Sequence, residues 1–328
     1  NSTANGFSSL ASGESSVAVG DNSTASAASS TAVGDNALAN AVNATATGAY
    51  SAATGVNSTA NGFSSDASGE SSVAVGDNST ASAASSTAVG DNALANAVNA
   101  TATGAYSTAS GLNSTANGYS ALASGESSFA GGDNATASGT SSTALGDNSL
   151  ANNTNTTATG AFSTASGLNA TANGYSALAS GESSFAGGDN AEANAQSSTA
   201  LGDNSLASAL NATATGAYST ASGVNSTANG FSSLASGESS VAVGDNALAN
   251  SQSSTAMGDN ASATAVNATA TGAYSLASGL NSTANGFDST ASGESSVAVG
   301  DNALANSQSS TAMGDNSQAT NTNATATG

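Results

Sequence analysis

The chain has 328 residues and carries 21 Asp and Glu against no Lys, Arg or His, a formal net charge of −21. Without cationic side chains it cannot neutralise phosphates, which excludes nucleic-acid binding, and it lacks the His and Lys that carry most acid–base, Schiff-base and phosphate-binding chemistry. There is no Cys, so no disulfide or thiol chemistry, and no apolar run approaches the ~18 residues that a membrane-spanning helix needs.

From the amino end, Ala returns every seventh residue, at Ala4, Ala11, Ala18, Ala25 and on to Ala326, filling 47 heptads without exception. Such a short fixed period marks a repeat array. A coiled coil would need apolar residues at two heptad positions and helix formers elsewhere. Here 38 residues are Gly, and Ser, Thr and Asn fill most remaining positions, which disfavours helix. The small apolar residues alternate with period two, the strand signature. Each heptad therefore reads as one short strand and one turn.

The glycines lengthen the repeat to fourteen. The 24 heptads ending at Gly6, Gly20, Gly34 and onward to Gly328 all close on Gly, and we call their strands A. The 23 intervening B heptads close on Gly only 12 times, otherwise on residues such as Ala27, Ala41, Asn153, Ser251 and Asn321. Every second turn thus requires a positive φ or a close backbone approach. The expected fold is all-β, a parallel β-solenoid (β-roll) with two strands in each fourteen-residue coil. About 23 coils spaced by ~4.8 Å predict a rod on the order of 110 Å long.

A third period runs at 56 residues, four coils, through NSTANG or NATANG at 1, 57, 113, 169, 225 and 281. The chain reads as a single repeat domain, 1–328, built of copies 1–56, 57–112, 113–168, 169–224, 225–280 and 281–328. It starts and stops mid-repeat, and we expect it to be an excerpt of a longer secreted chain.

Positions three and five of the heptad are small: Ser or Ala at three apart from Thr156, and always Ala at five. Residues two apart share a strand face, so these are expected to fill the coil. Positions four and six point outward. B strands accept Asp66, Glu192 and Gln318 at position four, which a dry interior does not tolerate; the B face is therefore expected to be wet. A strands carry Val17, Val19, Val33, Leu145, Leu201, Val241, Met257, Val297 and Met313. The pair Val17/Val19 becomes Phe129/Gly131 and Phe185/Gly187 in later copies, a volume exchange of the kind packed surfaces show. These residues are the expected oligomer interface, with another copy of the chain as the simplest partner.

No catalytic residues are assigned. The acids recur as equivalent copies (Glu14, Glu70, Glu126, Glu182, Glu238 and Glu294), a surface pattern rather than a carboxylate pair for glycoside chemistry. Asp21 and Asp35, fourteen apart, fall on equivalent turns of adjacent coils, as do Asp77/Asp91, Asp133/Asp147, Asp189/Asp203, Asp245/Asp259 and Asp301/Asp315. Two readings stay open for these pairs: Ca²⁺ bridging with nearby Asn oxygens, or a solvated acidic rim. No other cofactor is expected. Sequons such as those at Asn1, Asn22, Asn43 and Asn155 are glycan acceptors in a secreted chain, although the repeat itself favours Asn-[Ser/Ala]-Thr here.

SSVAVGDNS at 15–23, SSTAVGDNA at 29–37 and NATATGAYS at 43–51 resemble the head repeat of trimeric autotransporter adhesins of the YadA type, whose form is N-S-V-A-I-G-x-x-S, and the resemblance runs along the whole chain. It implies a left-handed β-roll, three chains around a common axis with the inner strands packed there, and a place on a cell surface, bound to host matrix, cells or neighbouring fibres. The basic residues usual in such heads are absent here, as are neck, stalk and anchor segments. Two other classes remain. A non-adhesive extracellular filament or phage fibre would use the same coil. An ice-binding solenoid would need a threonine array on every coil, whereas Thr45/Thr47, Thr101/Thr103 and Thr213/Thr215 stand four coils or more apart.

Overall fold

Each heptad becomes one short strand and one four-residue turn. The computed structural model describes residues 1–328, in two compact units, Asn1–Ser163 and Thr164–Gly328. Both are all-β parallel solenoids of the same construction and contain no helix. In the first unit the A strand Val17–Val19 lies parallel between Thr3–Asn5 and Thr31–Val33, with Val17 opposite Thr31 and Ala18 opposite Ala32. The B strands are two residues long; Leu38–Ala39 lies parallel between Thr24–Ala25 and Ala52–Ala53. The second unit repeats the register, Val241–Val243 lying between Thr227–Asn229 and Thr255–Met257.

The turns explain the Asn and Ser content. Position two of the heptad is left-handed throughout, for example Ser15 (φ 56°), Asn22 (55°) and Asn36 (58°). The position-three N–H closes the turn onto the carbonyl three residues back, as Ser16 does onto Gly13 at 3.3 Å. A left-handed third residue in a closed four-residue turn is the type II pattern, which favours Gly or Asn at that place. From the sequence, positive φ is expected at the A-turn glycines alone. In fact every turn has it one position beyond the turn's first residue pair, and in most turns Asn or Ser supplies it.

The A-turn glycines meet both requirements expected of them. Gly20 has φ 126°, and a Cβ there would lie 2.5 Å from the carbonyl oxygen of Gly34 in the next coil. The B-turn glycines have no positive φ, so Ala27, Asn153 or Ser251 can replace them. Where Gly does stand in a B turn, as at Gly13, the carbonyl of Ala27 in the next coil occupies the space a Cβ would take. Gly90→Ala (φ 132°) should therefore cost about 1–3 kcal/mol through backbone strain alone. Ala83→Gly, in a B turn of the same region, should cost only ~0.4–1 kcal/mol through added chain freedom. Chemical denaturation of the two variants, with hydrogen exchange around the altered coil, checks the contrast.

The interior is as small as the sequence indicates. Ser16, Ala18, Ser23 and Ala25 are fully buried, and their equivalents are buried along the chain except in the first and last coils. Many of the buried hydroxyls donate to the turn carbonyl three residues back: Ser23 to Gly20 (2.9 Å), Ser30 to Ala27 (2.7 Å) and Thr156 to Asn153 (2.7 Å). This satisfies them without a second strand. The hydroxyl is optional, since Ala44 and Ala100 occupy the same position and the Ser58 and Ser114 hydroxyls have no partner. A core of methyls and hydroxyls gains little per residue at ~25 cal/mol per Å², so the regular ladder carries much of the stability.

Candidate functional site

Three surfaces carry the distinctive side chains. On the A face, positions four and six form parallel rows. Val33, Leu145, Leu201, Met257 and Met313 are exposed, and Val17, Val19, Val241 and Val297 are half-buried by their neighbours in the ladder. Each unit therefore presents a column of large apolar side chains, with Thr and Asn between, on one side of the roll. Exposed apolar groups recurring along one side in this way mark a candidate interaction surface. The Phe/Gly exchange has an explanation inside one chain. A Cβ on Gly131 would lie 2.7 Å from the Phe129 ring and 3.1 Å from Leu145, and Gly187 is covered in the same way by Phe185 and Leu201. The ring lies along its own strand over the missing side chain, so the exchange does not by itself require an outside partner. It leaves a hollow of about 500 Å³ on the A side, lined by Asn173, Phe185, Gly187 and Leu201.

The B face is less wet than expected. Glu192 and Gln318 are exposed, but Leu38, Leu94 and Asp66 are half-buried in the short B ladder. Asp66 stands between Ala52 and Thr80 of the adjoining coils. Burial raises its carboxyl above the usual carboxylate range, and a hydrogen bond from Ser68 pulls the other way. The proton is therefore held more tightly in the folded chain than in the unfolded one. The charged side chain opposes folding above the folded pKa, and that penalty disappears as pH falls through it. Asp66→Asn should raise the Tm at neutral pH, with the gain shrinking on acidification; melting both proteins across a pH series tests this.

The corner between an A strand and the following B strand holds all six predicted Asp pairs. Adjacent members do meet: the Asp21 N–H donates to Asp35 Oδ1 at 3.3 Å, and Asp77 to Asp91 and Asp301 to Asp315 at 3.2 Å each. The same bond joins Asp133 to Asp147, Asp189 to Asp203 and Asp245 to Asp259. The first Asp of each pair in turn accepts from the aromatic residue one coil earlier, as Asp21 does from Phe7 and Asp77 from Phe63, both at 2.9 Å. The carboxylates thus cap outward backbone N–H groups, a role the sequence reading did not assign. No group of three or more His, Cys, Asp or Glu is placed to hold a metal ion, so a bridging cation would have a carboxylate pair as its charged ligands and would need neutral oxygens to complete its set.

Four coils apart, the same corner carries aromatic dyads. Tyr50 packs edge-to-face on Phe63, with ring centroids 5.7 Å apart at 75°; Tyr106/Tyr119, Tyr218/Phe231 and Tyr274/Phe287 repeat the arrangement. The opposite corner carries amide ladders: Asn43 donates to Asn57 at 2.9 Å and Asn99 to Asn113 at 3.0 Å. The sequon asparagines Asn22, Asn43 and Asn155 are among the left-handed turn residues, which accounts for the frequency of the motif.

Comparison with known proteins agrees with this architecture. The family model described as YadA head domain repeat (2 copies) matches twelve successive stretches, 1–23, 25–51, 53–79, 81–107, 109–135, 137–163, 165–191, 193–219, 221–247, 249–275, 277–303 and 305–328. Among solved structures, the chain is similar to the collagen-binding domain of the Yersinia adhesin YadA, with 29% identity, coverage of 44% of this chain and 66% of that one, and a TM-score of 0.28. The match therefore spans a little under two thirds of that domain. No curated protein matches the chain.

Proposed function

Since the chain belongs to the family of YadA head domain repeats, we propose that it is the head of a homotrimeric surface adhesin, a non-catalytic fibre that attaches cells to matrix, to other cells or to neighbouring fibres. The observation that carries this reading is the A-face column of Val, Leu, Met and Phe, which a single chain leaves open to solvent. A closed symmetric assembly covers such a column on every subunit at once, because each copy presents the same patch. Repetition suits attachment. Equivalent surfaces recur every four coils, and many weak contacts on one scaffold sum to strong avidity.

The test has two parts. Native mass spectrometry or light scattering should give three times the 30.2 kDa chain mass. Beads coated with the trimer should adhere to immobilised matrix proteins, to cultured cells or to one another. Collagen belongs in the matrix panel, since the similar Yersinia domain is described as collagen-binding. A monomer whose beads adhere to none of these would overturn the proposal.

A further inference from the structure

The A-to-B corner alternates two kinds of side chain along each unit. In the first unit the order is Asp21/Asp35, Tyr50/Phe63, Asp77/Asp91, Tyr106/Tyr119, Asp133/Asp147. The second unit has the same alternation through Tyr218/Phe231 and Tyr274/Phe287. The rings are not core residues: Tyr50 is 57% exposed and Phe63 50%. Nor does the backbone favour them. Tyr50, Tyr106, Tyr218 and Tyr274 sit at φ 60–61°, in the left-handed region that is unfavourable for a bulky side chain and that Asn or Ser fills in the neighbouring coils. A costly residue kept half exposed at every fourth coil needs a use beyond stacking on its neighbour.

We propose that this corner is a docking ladder for an extended polypeptide bearing arginines. Charge selects the partner. The chain has no Lys, Arg or His of its own, so neither rings nor carboxylates have a cation within the molecule. Ring faces and carboxylates both attract guanidinium, which stacks on aromatics and takes carboxylate in a planar fork. Spacing selects the form. Aromatic and acidic dyads alternate every two coils, about 9.6 Å at ~4.8 Å per strand. Three residues of an extended polyproline-type chain span about 9.3 Å. An arginine at every third residue would therefore meet a ring dyad and an acid dyad in turn. This names a partner for the adhesive reading, but its test reads the corner directly, so loss of this surface and loss of trimer assembly are seen separately.

The chain supplies its own reporter. It has no Trp, and its six tyrosines, at 50, 106, 119, 175, 218 and 274, all lie at this corner. Titrating the full chain with an (Arg-Gly-Gly)₆ peptide should change tyrosine emission saturably. The change should be weaker for the lysine version and for a peptide with the same arginines clustered at one end. A variant with Tyr50, Tyr106, Tyr218 and Tyr274 all replaced by Asn, better suited to the left-handed turn, should keep the Tm and bind about tenfold or more weakly, at two- to fivefold per ring. Asp77→Asn with Asp91→Asn, which leaves the rings in place, should weaken binding and flatten its salt dependence. Unchanged tyrosine emission at saturating peptide, equal binding of clustered and spaced peptides, or tyrosine quenching by neutral oligosaccharides in place of the peptide would overturn the proposal.

Discussion

Val75→Asp is expected to dissociate the assembly, and Leu94→Asp to leave it intact. In a single chain the two sites are well matched. Both are half-buried, both sit in a parallel ladder, Val75 beside Asn61 and Val89 and Leu94 beside Thr80 and Thr108, and both lie well inside the first unit. Within one chain a carboxylate at either would suffer similar partial desolvation, much as Asp66 does. The difference arises only when the A face is covered. An unpaired charge enclosed in a dry interface costs about 3–5 kcal/mol, and rotational symmetry places one on every subunit. At Leu94 the extra carboxylate remains on the outer face, where Asp66 and Glu192 already stand. Mass in solution decides it. A Val75→Asp chain at monomer mass beside a Leu94→Asp trimer supports the A face as the interface. Two trimers, or two monomers, would reject that assignment.

Most of the fold was legible because a solenoid imposes the same local demands on every coil. The invariant Ala, the restriction of position three to Ser or Ala apart from Thr156, and the Gly at every A turn each follow from one steric demand repeated coil after coil, so the pattern stands out from the noise. What escaped notice depends on partners that the fourteen-residue register brings together. In the sequence Asp21 stands only as one of a stacked acidic pair with Asp35, open to cation bridging or to solvent; that it caps the N–H of Phe7 shows only once the coils are stacked. Tyr50 and Phe63 are thirteen residues apart, one short of the period, so they belong to different heptad positions and did not read as a pair. The Phe129/Gly131 exchange was visible as a volume swap, but the sequence could not say that the ring covers its own strand. The left-handed position two was signalled by its Asn and Ser, a signal that sequons and general polarity masked.

Raising ionic strength, or adding a divalent cation, is expected to raise the melting temperature of the assembly. Three chains associated as proposed would carry three times −21, or −63, with no internal positive charge, and self-repulsion of that size opposes association until it is screened. The Debye length shortens from about 30 Å at 0.01 M to about 10 Å at 0.1 M, so repulsion between exposed acids on different coils and chains should fall sharply over that range. Within a pair, the Asp21 N–H to Asp35 Oδ1 hydrogen bond of 3.3 Å joins residues on adjoining coils about 4.8 Å apart, well inside the Debye length, so salt screens repulsion there less completely. This distinguishes two mechanisms. Screening alone predicts that calcium and magnesium at equal ionic strength act alike. Bridging of the Asp pairs predicts that calcium, which accepts irregular oxygen sets, acts more strongly at micromolar to millimolar concentration, and that the excess disappears in the Asp77→Asn, Asp91→Asn variant carried through the other pairs. The pairs provide two carboxylates each and no third acidic ligand, so bridging would depend on neutral Asn, carbonyl or water oxygens, and the calcium–magnesium comparison decides between the two. A melting temperature indifferent to salt, calcium and chelator alike would show that the hydrogen-bonded ladder and the A-face packing outweigh the charge altogether.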